Sequence, residues 1–169
     1  MGKRNPQLNC TGQLAGAKVV IKVVQNEALQ EYVIIVNLGT IAQPMGGWAL
    51  ASLRGQEFYL FPDDLIILPK MMVAIHSGQG AHSGSTNYLF CKDLFWTEEQ
   101  IWNNQGDIAL LFEANGLEVD RYTYPHERIL GSAGKRRLCL LNDGEAWRVV
   151  EDPVRQRDKP VRQANGPSG

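Results

Sequence analysis

The chain has 169 residues, 44% of them apolar and 21% charged, with 17 Lys plus Arg against 18 Asp plus Glu for a net charge of −1. These proportions fit one globular domain that buries its own core, and they exclude disordered, collagen-like, coiled-coil and supercharged chains. The small sum hides a gradient: residues 31–126 hold four basic side chains (Arg54, Lys70, Lys92, Arg121) against eleven acidic ones, while 1–30 and 127–169 each net +3. Any attraction to phosphate therefore belongs to the ends of the chain.

The opening MGKRNPQLNC has a basic start but no apolar run after it, and nowhere is there a stretch of about 20 apolar residues, so the expectation is a cytoplasmic chain without a membrane span. Cys10, Cys91 and Cys139 are odd in number and lack C-x-x-C spacing, which suits free thiols. Short β-prone runs follow one another: 17–25 and 31–39, both rich in Val and Ile, then 46–52, 57–62 and 65–78, the last broken at Pro69, which is assigned to a turn before a strand at 71–76. Residues 77–86, SGQGAHSGST, read as a long exposed loop. Tyr88, Phe90, Phe95 and Trp96 then crowd one stretch, and Thr97 with Gln100 offers a single helical turn. Residues 107–124 form the clearest hairpin, with Asn115 and Gly116 as a type I′ turn. A basic connector leads from 127 into a second hairpin at 137–150, and 151–169 reads as a disordered tail.

Some nine short strands with turn residues every 8 to 15 positions imply an all-β antiparallel sandwich or barrel. Trp48 and Trp102 are its natural large anchors. Three motifs then fall in order: G-W-x-L at Gly47, Trp48 and Leu50; V-x-I-H-S-G-x-G with His76, Ser77 and Gly78; and W-N-N-x-G-D with Trp102, Asn103, Asn104, Gly106 and Asp107. Together they resemble the lamin tail domain family in its prokaryotic form, over about residues 17–126. The resemblance implies an immunoglobulin-like β-sandwich without a shared catalytic site, and the motif residues are expected to be structural. Asn103, Asn104 and Gly106 suit tight backbone, and Asp107 can hold that turn by accepting N–H bonds.

Sharper chemistry fits the sequence less well. His76, His82, Ser77, Ser83 and Ser85 with Asp93 or Asp107 lack the nucleophile elbow a hydrolase triad needs. His76, His82, Cys91 and His126 have no spacing that demands zinc, and the Gly-rich loop lacks the Lys-Ser/Thr of a phosphate cradle. The expectation is no catalytic residue, metal, cofactor or small-molecule substrate. The leading reading is a binding module that recognises a protein partner through its loops, with Tyr88, Phe90, Phe95 and Trp96 as the candidate surface. The alternative is a nucleic-acid accessory domain using Lys135, Arg136, Arg137 and Arg148 in the basic extension.

Overall fold

A computed structural model describes residues 12–124, 138–142 and 147–151. Twelve strands are present among these: β1 (Val19–Gln25), β2 (Gln30–Asn37), β3 (Gln43–Pro44), β4 (Ala49–Ser52), β5 (Phe58–Leu60), β6 (Ile66–Ile67), β7 (Met72–Gly78), β8 (Cys91–Phe95), β9 (Asp107–Phe112), β10 (Glu118–Tyr124), β11 (Leu138–Asn142) and β12 (Trp147–Glu151). One four-stranded sheet runs β1-β2-β7-β8 and the other β10-β9-β4-β5, with β3-β6 and β11-β12 as two-stranded additions. The two large sheets are the layers of the expected sandwich. Between them lie Ile21, Val33, Ile35, Val73 and Ile75 from the first sheet, Leu50 and Leu111 from the second, and Trp48 and Trp102. Period-2 alternation supplies this face, since neighbouring side chains on a strand point to opposite sides.

Strand β1 breaks the alternation. Its register with β2 shifts between Ile21 and Val23, so Lys22 is the extra residue of a bulge and the inward set becomes Val19, Ile21 and Val24. Asn37 ends β2 as a fully buried amide. It accepts from the N–H groups of Lys18 and Gly39 and donates to the carbonyls of Ile41 and Ile67, at 2.8 to 3.2 Å. One side chain thus ties β1, β2 and β6 together with its hydrogen-bonding capacity used.

Four expectations need correction. The pair β7 and β8 is parallel, with Met72 opposite Cys91 and His76 opposite Phe95, because residues 79–90 cross back to the start of β7 before the chain re-enters the sheet. Residues 77–86 are only in part the exposed loop their composition suggests: Gln79, His82, Ser83 and Ser85 are exposed, but Ser77, Gly78 and Ala81 are buried. β7 itself runs on to Gly78; Ala81 is buried in a short 3-10 turn at Ala81–Ser83, and Gly84 sits against the ring of His76. No helical turn forms at Thr97, since the Ile101 and Trp102 N–H groups that would close it onto the Thr97 and Glu98 carbonyls go to the Glu31 carboxylate, and the Glu99 carbonyl accepts from Gly78 N–H. The hairpin turn between β9 and β10 has Gly116 left-handed at φ 82° but not Asn115, and Gly116 N–H bonds the Glu113 carbonyl at 2.8 Å. It is a type I turn followed by a left-handed glycine, the three-residue hairpin loop, rather than type I′.

The hairpin β11-β12 lies on the outer side of the second sheet. Leu138 and Leu140 pack with Ala49, Ala51, Ile108, Leu110 and Phe112, and the Leu140 N–H bonds the Gly116 carbonyl at 2.8 Å. Every residue of β9 is consequently buried, from both faces of its sheet. The connector before β11 and the expected tail beyond Glu151 lie outside the described residues.

Candidate functional site

Two arrangements use the residues that the sequence singles out, one inside the sandwich and one on its surface. Inside, Gly47 has φ 78°, and Trp48 and Leu50 are buried without measurable exposure. Ser77 donates to the buried carboxylate of Glu31 at 2.9 Å, and the same oxygen accepts the N–H groups of Ile101 at 2.8 Å and Trp102 at 3.3 Å. Burial pushes the Glu31 carboxyl above its ordinary range, against the opposing pull of those donors. Gly78 takes φ 81° where a Cβ would lie 2.2 Å from the Leu29 carbonyl oxygen, so the close approach of the two backbones needs a glycine.

Around the W-N-N-x-G-D segment, Asp107 accepts from Ser52 Oγ at 2.6 Å, Arg54 N–H at 3.0 Å and its successor Ile108 N–H at 2.7 Å. Asn103 accepts the Gln105 N–H at 2.8 Å, Asn104 accepts from the Asn26 amide at 3.4 Å, and Gly106 takes φ 119°. The Arg54 guanidinium donates to the Gly106 carbonyl at 2.9 Å. Tyr124 lies near enough for burial, and then the Asp107 and Glu31 charges, to push its phenol up. These groups hold loops, and Arg54, Asn103 and Asn104 also line an open depression of about 650 Å³ with Glu57, Gln100 and Gln105.

His76 is 2% exposed, and its Nε2 lies 2.8 Å from Asp93 Oδ1. Burial would raise the Asp93 carboxyl, but bonds from His76 and from Thr86 outweigh it and hold the group below its usual value. Ser77 is turned away to Glu31, and Ser85 Oγ reaches Asp93 Oδ2 at 3.3 Å rather than the imidazole. The free ring nitrogen Nδ1 faces Gly84 instead. The serine-histidine-aspartate order that nucleophilic catalysis requires is therefore not assembled from these residues. His82 pairs with Glu98 on the surface, and the described residues contain no group of three His, Cys, Asp or Glu placed to hold a metal.

The aromatic stretch divides. Trp96 turns inward, with ring centroids 5.8 Å from Tyr59 and 6.0 Å from Trp102. Tyr88, Phe90 and Phe95 remain exposed, and they are joined by Leu89 and Leu68, which the sequence reading did not include. Two turns build this surface. In one, Met71 N–H bonds the Leu68 carbonyl with Lys70 at φ 66°; in the other, Cys91 N–H bonds the Tyr88 carbonyl with Phe90 at φ 57°. Left-handed backbone at that turn position is ordinarily left to glycine. The turns are joined by the bond from Met72 N–H to the Phe90 carbonyl at 2.8 Å. Between them lies a mostly apolar groove of about 500 Å³, lined by Leu68, Pro69, Lys70, Met71, Phe90, Cys91 and Lys92. The signal in the sequence was Pro69-Lys70 interrupting an apolar run, which places apolar residues on a turn.

Of the candidate phosphate contacts, Arg148 is exposed on β12, and Lys135, Arg136 and Arg137 lie outside the described residues. Among the described residues no helix is long and apolar enough to cross a membrane. Comparison with protein-family models matches residues 13–126 to the family described as Lamin Tail Domain. No curated protein matches the chain.

Proposed function

The chain belongs to the lamin tail domain family, and from that premise we propose that it is a non-catalytic binding module whose partner is a protein. One observation carries this reading: the turns at 68–71 and 88–91 present Leu68, Leu89 and Phe90 to solvent, the last two more than four-fifths exposed, beside the outermost strand of a sheet. Clustered apolar side chains in water mark contact surfaces. Of the buried motif residues, His76 holds the segment that leads into this surface through Asp93, while Ser77, Trp102 and Asp107 hold loops at the end of β7 and the start of β9.

The test is site-specific photo-cross-linking in the full chain, with benzoylphenylalanine at position 90 and, as control, at position 57, just before β5 of the other sheet. The expected result is a discrete protein adduct from position 90 alone, lost on Leu68→Asp. Identical adducts from both positions overturn the reading. Salt-sensitive DNA binding by the full chain that vanishes on replacing Lys135, Arg136 and Arg137 with Ala would instead favour the nucleic-acid alternative.

A further inference from the structure

The groove between the two turns opens onto a sheet edge that no other described strand pairs. β8 is the last strand of its sheet, and the bonds that bracket its pairing with β7 run from Met72 N–H to the Phe90 carbonyl and from Trp96 N–H to the His76 carbonyl. In a parallel ladder alternate residues of a strand bond to one neighbour. The even-numbered residues 90 to 96 therefore face β7, and the backbone groups of Asp93 and Phe95 point away from it. No other described residue bonds those outward groups. Such a row of donors and acceptors is a template for one more strand.

Charge narrows what fits. Lys70 and Lys92 both line the groove, no acidic residue does, and neither lysine forms an ion pair among the described residues. They are two of only four basic residues in a segment, 31–126, that carries eleven acidic ones. The chain's own ends are poorly suited to this corner. Residues 1–11 have Lys3 and Arg4 and no acid, 125–137 have four Lys or Arg against Glu127, and 152–169 have four against Asp152 and Asp158, so each is net basic and repelled.

Resting on the protein-binding reading above, we propose that the partner is an acidic, extended peptide segment that adds a strand to the free edge of β8. It seats one apolar side chain between Leu68 and Phe90 and sets carboxylates against Lys70 and Lys92. Main-chain bonds to Asp93 and Phe95 supply affinity, the groove selects the anchor, and the two lysines select acidic flanks.

The probe is a fluorescein-labelled peptide of about ten residues, alternating Val and Glu around a central Phe, with anisotropy read against the full chain. Two controls replace its Glu with Lys, or carry N-methyl groups on alternate residues so that one edge cannot donate. The acidic probe is expected to bind and both controls to fail. The double variant Lys70→Glu, Lys92→Glu is expected to weaken the acidic probe about tenfold or more and to gain binding of the Lys probe. Equal binding of acidic and basic probes, indifference to N-methylation, or no effect of the double variant overturns the proposal. So does Leu68→Asp-sensitive binding to phosphatidylcholine vesicles containing phosphatidylserine, or Leu68→Asp-sensitive self-association, when the acidic probe is not bound. Cross-linking from position 90 that persists in the double variant, with no acidic-probe binding, removes strand addition while leaving the protein-binding reading in place.

Discussion

The imidazole of His76 is held between Asp93, 2.8 Å from its Nε2, and Gly84, whose absent Cβ would lie 2.5 Å from its Nδ1. One bond and one missing methyl group thus lock the crossing segment 79–90 onto the outer face of its sheet. Gly84→Ala should force the ring or the segment to move and destabilise the chain by about 1–3 kcal/mol. An unchanged denaturation midpoint for Gly84→Ala would show that the segment is not seated on the ring.

Asp93→Asn keeps the shape of that contact and removes its charge, at a cost of about 1–2 kcal/mol near neutral pH. The sign with pH follows from the direction of the shift. The folded carboxyl sits below its usual value, so its contribution is complete above the unfolded value of about 3.9 and is lost as pH falls through the lower, folded one. Urea denaturation of both proteins should converge on acidification, and a gap that widens at low pH would contradict the assignment.

Glu31 behaves in the opposite sense. Its carboxyl is raised by burial, so the folded state holds the proton better. Its contribution is full below the unfolded value near 4.3 and is lost as pH rises through the folded one. Relative to Glu31→Gln, the wild-type chain should therefore gain stability on acidification. Glu31→Ala should cost about 3 kcal/mol or more, because it strands the Ser77 hydroxyl and the Ile101 and Trp102 N–H groups in the interior. Equal stability of the Ala and Gln variants would sink this account.

The family match ends at residue 126, yet the outer face of β4 and β9 is covered by Leu138 and Leu140. A chain ending at Tyr124 exposes Ala49, Ala51, Ile108, Leu110 and Phe112 to water. It should bind the dye ANS and unfold at lower denaturant than the full chain, and Leu140→Ala alone should cost about 2–4 kcal/mol. Unaltered dye binding in the short chain would mean that the hairpin contributes nothing to that face.

Phe90 holds a left-handed φ while 83% exposed. Phe90→Gly removes a backbone cost of about 1 kcal/mol and gives up almost no burial. The variant should be as stable as the wild type or more so while losing the position-90 surface. A loss of stability above about 1 kcal/mol would show that the ring is part of the fold.

Much of the architecture was legible because period-2 runs and turn residues fix which strands exist and where they end. The run at 31–39 and the hairpin at 107–124 declared themselves this way. What escaped depended on distant partners. The bulge at Lys22 is set by pairing with β2 and by the Asp120 carboxylate that takes the Ile21 N–H at 2.7 Å. The failed turn after Thr97 reflects bonds from Ile101 and Trp102 to Glu31 and from Gly78 to Glu99 that no local pattern encodes. At the surface, Tyr88, Phe90 and Phe95 could be named from composition, but Leu68 and Lys70 join them only because two turns far apart in sequence meet at the start of β7.

The parallel placement of β8 bears also on how the molecule avoids aggregating. β8 is separated from β7 by the twelve residues of the crossing segment, and it is short and carries the charges of Lys92 and Asp93. Beneath it runs β7, longer and apolar through Val73, Ala74 and Ile75, the kind of strand that stacks into fibrils when its edge is bare. β8 therefore acts as a gatekeeper, and hydrogen exchange that opens β8 ahead of β2 and β7 would mark the step at which the chain becomes prone to assemble with itself.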